Sequence, residues 1–162
     1  MLLQVGEVMT KVNFRIEGMG GLKKSLEKLG KVPQKHVTAS ARKGMNISLK
    51  SAKANAPYDT GALKKGLKLK GEKSRFKGKK VYQVVFDEKM NDIFQKKNAA
   101  GQVTGYYPVS QEYGYFSRSG RYIPGYRFVS DSLISNVGLI EKTIVTEMKK
   151  KIDQEIAKVG LK

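Results

Sequence analysis

The sequence predicts an α+β fold in which an antiparallel sheet packs against a long helix in the N-terminal half and a second long helix at the C-terminal end. Three observations carry this. Apolar residues recur every three or four positions from Val37 to Ala56 and again from Val137 to Val159, the period of a helix with one buried face. Between them, Leu67 and Leu69 alternate with Lys68 and Lys70, and Val81 to Phe86 is rich in β-branched and aromatic residues, as strands are. At 162 residues the chain reads as one domain, with an N-terminal strand or arm over 1–20, helices over 21–56, sheet and loops over 57–128 and a C-terminal helix over 129–160.

Taken in order, Lys11 to Glu17 alternates, with Val12, Phe14 and Ile16 on one face, and Gly18, Gly20 and Gly21 end it. Leu22, Leu26 and Leu29 mark a short helix that stops at Gly30. Pro33 suits the first turn of the long helix that follows, whose stripe is Val37, Ala41, Met45, Leu49, Ala52 and Ala56. Pro57 ends it, because the residue before a proline is pushed out of the helical region. A polar turn through Lys77, Gly78 and Lys79 joins the two strands into a hairpin. Over 87–105, Met90, Ile93 and Phe94 form a helical turn and Asn98 to Gly101 an exposed loop. The stretch from Tyr106 to Tyr126 is aromatic and glycine-rich. Ser130 or Asp131 caps the last helix, and Lys149, Lys150, Lys151 and Lys158 suit its C-terminal dipole.

Composition bounds the chemistry. Without cysteine there are no disulfides, thiolate metal sites or cysteine nucleophiles, and no metal or other cofactor is expected. The single histidine, His36, stands among Lys35, Val37 and Thr38 and reads as a solvated surface residue. Met1 to Glu7 lacks the basic start and apolar run of a signal peptide, and no membrane span is expected, so the protein should be made in a cytoplasm. The net charge of +18 attracts polyanions or acidic surfaces, though a lysine-favouring codon bias would produce the same composition.

The octet from Ala56 to Leu63 is the most informative stretch. Its Asp59-Thr60-Gly61 has two opposed readings, the loop of an aspartic protease or a helix stop and restart. A protease sets Asp-Thr-Gly directly after an apolar strand and needs a second carboxylate to share a proton. Here Lys53 to Tyr58 belongs to a helix and a proline, and a second copy of the tripeptide is absent. As a junction, Pro57 stops one helix, Asp59 or Thr60 caps the next, Gly61 permits a tight backbone and Leu63 points inward with Leu67. No catalytic residue is assigned.

Together with two further segments the octet resembles a known family, the small tail-completion or head-tail joining proteins of long-tailed phages, typified by the gene-ten product of Hong Kong-type phages. The octet is similar to that family's Ala-Pro, any residue, Asp-Thr-Gly, any residue, Leu. Tyr106 to Gly114 resembles its Tyr, spacer, Glu-aromatic-Gly segment, with Glu112 and Gly114 in the matching places. Pro124 to Leu133, with Phe128, resembles its proline-aromatic entry into the last helix. Pro108 replaces a small residue, Ser132 stands where alanine is common, and 87–105 is longer than the family needs. The resemblance implies a non-enzymatic virion component at the neck, assembled in host cytoplasm as a ring or small oligomer with other neck and tail proteins.

Two surfaces follow as expectations. Tyr113, Tyr115, Phe116, Tyr122 and Tyr126 supply rigid amphipathic anchors for a protein interface. Lys64, Lys65, Lys68, Lys70, Lys73, Arg75, Lys77, Lys79 and Lys80 face packaged DNA, an acidic partner or only solvent. The alternative function, a free nucleic-acid-binding protein, rests on the same charge and on tyrosines near Arg118, Arg121 and Arg127.

Overall fold

The computed structural model describes residues 34–158, Lys77 excepted. The expected strand over 11–17, the helix of Leu22, Leu26 and Leu29, and Val159 lie outside the described residues. The order is α1 (Gln34–Asn55), α2 (Ala62–Gly66), β1 (Leu67–Gly71), β2 (Tyr82–Phe86), a 3-10 turn (Glu88–Met90), α3 (Asn91–Phe94), β3 (Gln95–Lys97), β4 (Val103–Tyr106), α4 (Tyr107–Tyr113), β5 (Gly114–Phe116), β6 (Tyr122–Pro124), α5 (Phe128–Ile134) and α6 (Val137–Lys158). The class is α+β. Its antiparallel strands fall into three two-stranded ribbons, β1 with β2, β3 with β4, and β5 with β6. In the first, Leu67 faces Phe86 and Gly71 faces Tyr82, and the ribbon lies against α1. The division follows from length, since β1, β3, β4 and β5 each abut a helix directly and run only three to five residues.

The core gathers Ala52 of α1, Ala62 and Leu63 of α2, Leu67 of β1, Phe94 of α3 and Phe128 of α5. Phe86 meets Phe94 and Phe128 edge to face at 5.8 and 6.2 Å, and Phe94 meets Tyr106 at 6.1 Å. Fully burying such side chains stabilises by roughly 1.5–3 kcal/mol each. Gly66 sits under the Phe94 ring, where a Cβ would come within 2.4 Å of the ring, so only glycine lets that ring rest on the chain.

The second packing layer is α1 against α6, and here the expected stripe is incomplete. Met45 and Ala52 are buried and the half-buried Leu49 and Ala56 pack on the core as expected, Val37 and Ala41 are half-buried, and a second buried line runs through His36, Ser40, Gly44 and Ser48. A Cβ on Gly44 would lie 2.5 Å from Ile144 Cγ1 and 3.2 Å from the Ile140 carbonyl oxygen. Periodicity tracks hydrophobicity, whereas so close a crossing selects for size. Ile140, Ile144 and Met148 form the buried side of α6 as expected.

The single helix expected over 129–160 is two. The chain turns at Ser135 and Asn136, where the Asn136 amide donates to the Ser132 carbonyl at 2.8 Å and the Asn136 carbonyl accepts from Ile140 N–H at 2.9 Å. His36 is also corrected. It is 7% exposed, covered by α6, with Nε2 3.1 Å from Glu155 Oε1. Its sequence neighbours gave no sign of this because the partner is 119 residues away. Lys43 and Glu147 make a second ion pair across the helices, holding the Glu147 carboxyl below its usual range.

Candidate functional site

The three segments singled out in the sequence meet at one end of the core. α1 stops at Asn55, and the chain re-enters a helix at Ala62. The cap expected from Asp59 or Thr60 is not a side-chain cap: Gly61 holds that position with φ 74°, a left-handed backbone that glycine adopts without steric cost. Its carbonyl accepts from Lys65 N–H at 3.0 Å, while Thr60 Oγ1 accepts only a long 3.4 Å bond from Ala62 N–H. Ala62 and Leu63 go into the core, and Asp59 stays exposed. Burial raises the Tyr107 hydroxyl above its ordinary value, with smaller contributions from the Asp59 charge and Tyr126. Tyr106 and Tyr107 pack against the core cluster that holds Ala62 and Leu63 of the first segment and Phe128 of the third, so all three segments share one core.

The second and third segments form one joint. Tyr107 to Tyr113, read from the sequence as part of an aromatic stretch without a helix, is α4, with Pro108 in its first turn, where a missing N–H costs nothing. From α4, the Glu112 carboxylate, 4% exposed, reaches the start of α5. Its Oε2 accepts from Val129 N–H at 2.9 Å, and its Oε1 accepts from Ser130 N–H at 2.9 Å and from Ser130 Oγ at 2.5 Å. These are the donors that a helix start leaves unpaired, and the anion also suits the helix dipole. The cap expected from Ser130 or Asp131 is thus supplied by a residue 17 positions upstream.

The backbone repeats the link. Tyr126 N–H donates to the Gln111 carbonyl at 2.8 Å and Arg127 N–H to the Glu112 carbonyl at 3.0 Å. Gly114 (φ 91°) and Gly125 press together, since a Cβ on Gly125 would lie 2.4 Å from Gly114 N and one on Gly114 would lie 2.3 Å from the Ile123 carbonyl oxygen. Pro124 is paired with Gly114 in the ribbon, and Phe128 turns into the core. Arg127 takes φ 50°, a left-handed position for a non-glycine residue, and so redirects the chain into α5. On the first segment's side, Asn55 donates to the buried Ser132 hydroxyl at 3.1 Å.

From this joint the β5–β6 ribbon projects as an arm. Tyr113 (40%), Tyr115, Phe116 (74%), Tyr122 and Tyr126 (65%) are all exposed. Tyr122 Oη donates to the Tyr113 carbonyl at 2.5 Å, and the Phe116 and Tyr122 rings lie 5.3 Å apart. The basic stretch is elsewhere and partly neutralised. Lys68 pairs with Asp87 at 2.7 Å, depressing the Asp87 carboxyl, and Lys70 lies 3.4 Å from Glu88. Lys80 donates to the Glu72 carbonyl and stands over the Tyr82 ring. Lys64, Lys65, Lys73, Arg75 and Lys79 are exposed, without an ion pair among the described residues, and Lys77 lies outside them. Gln34 anchors the ribbon's turn by bonding Gly78 N–H and the Lys79 carbonyl.

Sequence reasoning singled out Glu112 and Gly114 by resemblance but missed Gly125 and Ser130 as their partners. The Pro-Gly at 124–125 was the available signal. Among the described residues no cluster of His, Asp and Glu is grouped to hold a metal ion, and no helix is long and apolar enough to cross a membrane.

Fold and site together define an α+β structural module: Glu112 is buried and engaged by three donors from its own chain, and Asp59-Thr60-Gly61 follows a 22-residue helix and a proline, not a strand. The chain belongs to the HK97-gp10-like family, whose model, described as "Bacteriophage HK97-gp10, putative tail-component", matches residues 21–114. The match takes in the first two segments; the third, joined to the second by Glu112, follows it. No curated protein and no solved structure matches the chain.

Proposed function

We propose that this phage tail component completes the tail at the neck, where it joins head to tail as a ring of identical subunits, by shape and charge complementarity and without catalysis. Membership of the family supplies the tail. The observation that supports a joining role is the Glu112 joint, a rigid mount for an exposed aromatic arm. Deleting the gene from the parent phage should yield filled heads and free tails that do not join, and purified protein added to that lysate should restore infectious particles. Normal joined virions from the deletion would sink the reading, as would loss of the tail shafts themselves.

The five free cations of the basic stretch favour a secondary contact with packaged DNA, non-specific and through phosphates. Binding of a short duplex should fall with salt at a log-log slope of at most about 4–5, from roughly 0.9 per phosphate neutralised. Replacing Lys73, Arg75 and Lys79 by glutamine should reduce that slope by about 2–3. A slope unchanged in the triple variant would move the contact away from this ribbon. Tight DNA binding by a chain that never assembles would instead favour the free nucleic-acid-binding alternative.

A further inference from the structure

Between Lys97 and Lys142 the chain has no lysine. This stretch, 98–141, is 44 residues of a protein with 32 lysines and arginines, and its charges cancel, Arg118, Arg121 and Arg127 against Glu112, Asp131 and Glu141. The whole excess of +18 therefore lies outside it. The same stretch holds ten of the fourteen large apolar side chains that are exposed among the described residues, although it is only about a third of them. Six of the ten, Tyr113, Tyr115, Phe116, Tyr122, Ile123 and Tyr126, are on or beside the β5–β6 arm. Lysine depletion with tyrosine and arginine enrichment is the composition of interface centres.

We infer that the lysine-free arm is the surface through which one copy of this chain binds a second copy. Charge selects that occupant. Two copies at +18 each repel wherever lysine-rich faces approach, and the 98–141 surface is where they can meet without stacking like charge. An acidic partner would gain most from the lysine-rich faces and least from this one. Area agrees: five aromatic side chains of roughly 200 Å² each, about half exposed, offer about 500 Å² per copy, the greater part of the roughly 800 Å² that each partner contributes to a standard interface. The mount agrees as well. A free two-stranded ribbon is marginally stable, but this one is fixed at its base by Gly114, Gly125 and Glu112, so little conformational freedom is left to lose on docking.

The inference rests on the ring reading in taking the partner to be another copy, and sedimentation velocity of the full chain from 0.05 to 0.5 M salt separates the two. The wild type should self-associate, and more tightly as salt rises, because salt screens the +18 repulsion and leaves the apolar contact. Phe116→Lys with Tyr126→Lys should weaken association by about tenfold or more at unchanged melting temperature. Phe76→Lys, also exposed but outside the stretch, should not change it. If the arm variant assembles like wild type, the contact is elsewhere and only this inference falls. If the wild type is monomeric at every salt concentration, the ring reading falls with it. Association that loosens as salt rises would be charge-driven and would also overturn the inference. So would a monomeric chain whose arm tyrosines become protected from oxidative footprinting only on adding purified tails, since that assigns the surface to a different tail protein.

Discussion

The joint can be tested at Glu112. Glu112→Ala removes an acceptor that takes three bonds in a site 4% exposed, leaving Val129 N–H, Ser130 N–H and the Ser130 hydroxyl unpaired at a helix start. Hydrogen bonds to a charged group are worth about 1.5–3 kcal/mol each, but three sharing one carboxylate are not additive, and water reaches part of the site once the side chain is gone. The loss of a helix cap alone runs to about 0.5–2 kcal/mol. We therefore expect Glu112→Ala to cost about 3–4 kcal/mol. Glu112→Gln keeps one oxygen acceptor of the same length, loses the other with the charge, and should cost about 1–2 kcal/mol. Urea unfolding of the purified chain measures both, and an unchanged m-value would show that the effect is on stability and not on the extent of unfolding. Ser130→Ala in each background completes a cycle in which the serine matters only while Glu112 is present. A cost below about 1 kcal/mol for Glu112→Ala, or equal costs for Ala and Gln, would refute the carboxylate cap.

Other perturbations separate size, backbone and charge. Gly44→Ala must push Ile144 and the Ile140 carbonyl away, so it should destabilise by about 1–2 kcal/mol despite the gain in helix propensity, whereas Gly138→Ala, with nothing within 4 Å, should stabilise by up to about 1 kcal/mol; both are read from thermal melts. Gly61→Ala, at φ 74°, should cost about 1–2 kcal/mol, while Asp59→Asn, exposed beside it, should stay within about 0.5 kcal/mol, and reversal of that order in urea melts would restore the aspartate as the residue that holds the turn. Asp87 and Glu147 have carboxyl groups depressed by hydrogen bonds to Lys68 and Lys43, so their contribution is present above the ordinary carboxylate range and is lost as pH falls through the depressed values. Lys68→Met with Lys43→Met should flatten the fall in melting temperature below about pH 4.

Much of the fold was legible because its signals are local. Pro57, the alternation at Leu67 to Lys70 and the branched run at Val81 to Phe86 act within a few residues, and the chain turned or extended where they said. What was not legible depends on distant partners or on size. His36 is buried by Glu155, 119 positions away, and α5 is capped by Glu112 from another helix, so neither could be read from neighbouring residues. The α1 stripe found the side that packs on the core but not the second line of contact with α6, because Gly44 and Ser48 look neutral on a hydrophobic scale while they are buried between the two helices. The helix over Tyr107 to Tyr113 was hidden by aromatic residues and a proline that weigh against a helix in general but fit a single short turn at its start. Of the candidate site, the residues were visible by type and resemblance; that they form one joint was not.

The octet shows how such a motif divides. Gly61 holds a left-handed backbone, and Ala62 and Leu63 are buried in one cluster with Leu67 of β1 and Phe128 of the third segment, so these positions answer to folding. Asp59 answers to nothing of the kind: it is exposed, and its charge adds to the rise that burial imposes on the Tyr107 hydroxyl. If the arm docks on a second copy, as inferred above, an exposed carboxylate at Asp59 adds negative potential that favours contact with Arg118 or Arg121, which the turn between β5 and β6 carries. Rim charges of this sort change how fast and in what register two surfaces meet more than how tightly they hold. On this account Asp59→Asn leaves the monomer's stability alone and slows assembly at low salt. The same slowing at high salt, where rim charges are screened, would mean that Asp59 acts through the fold after all.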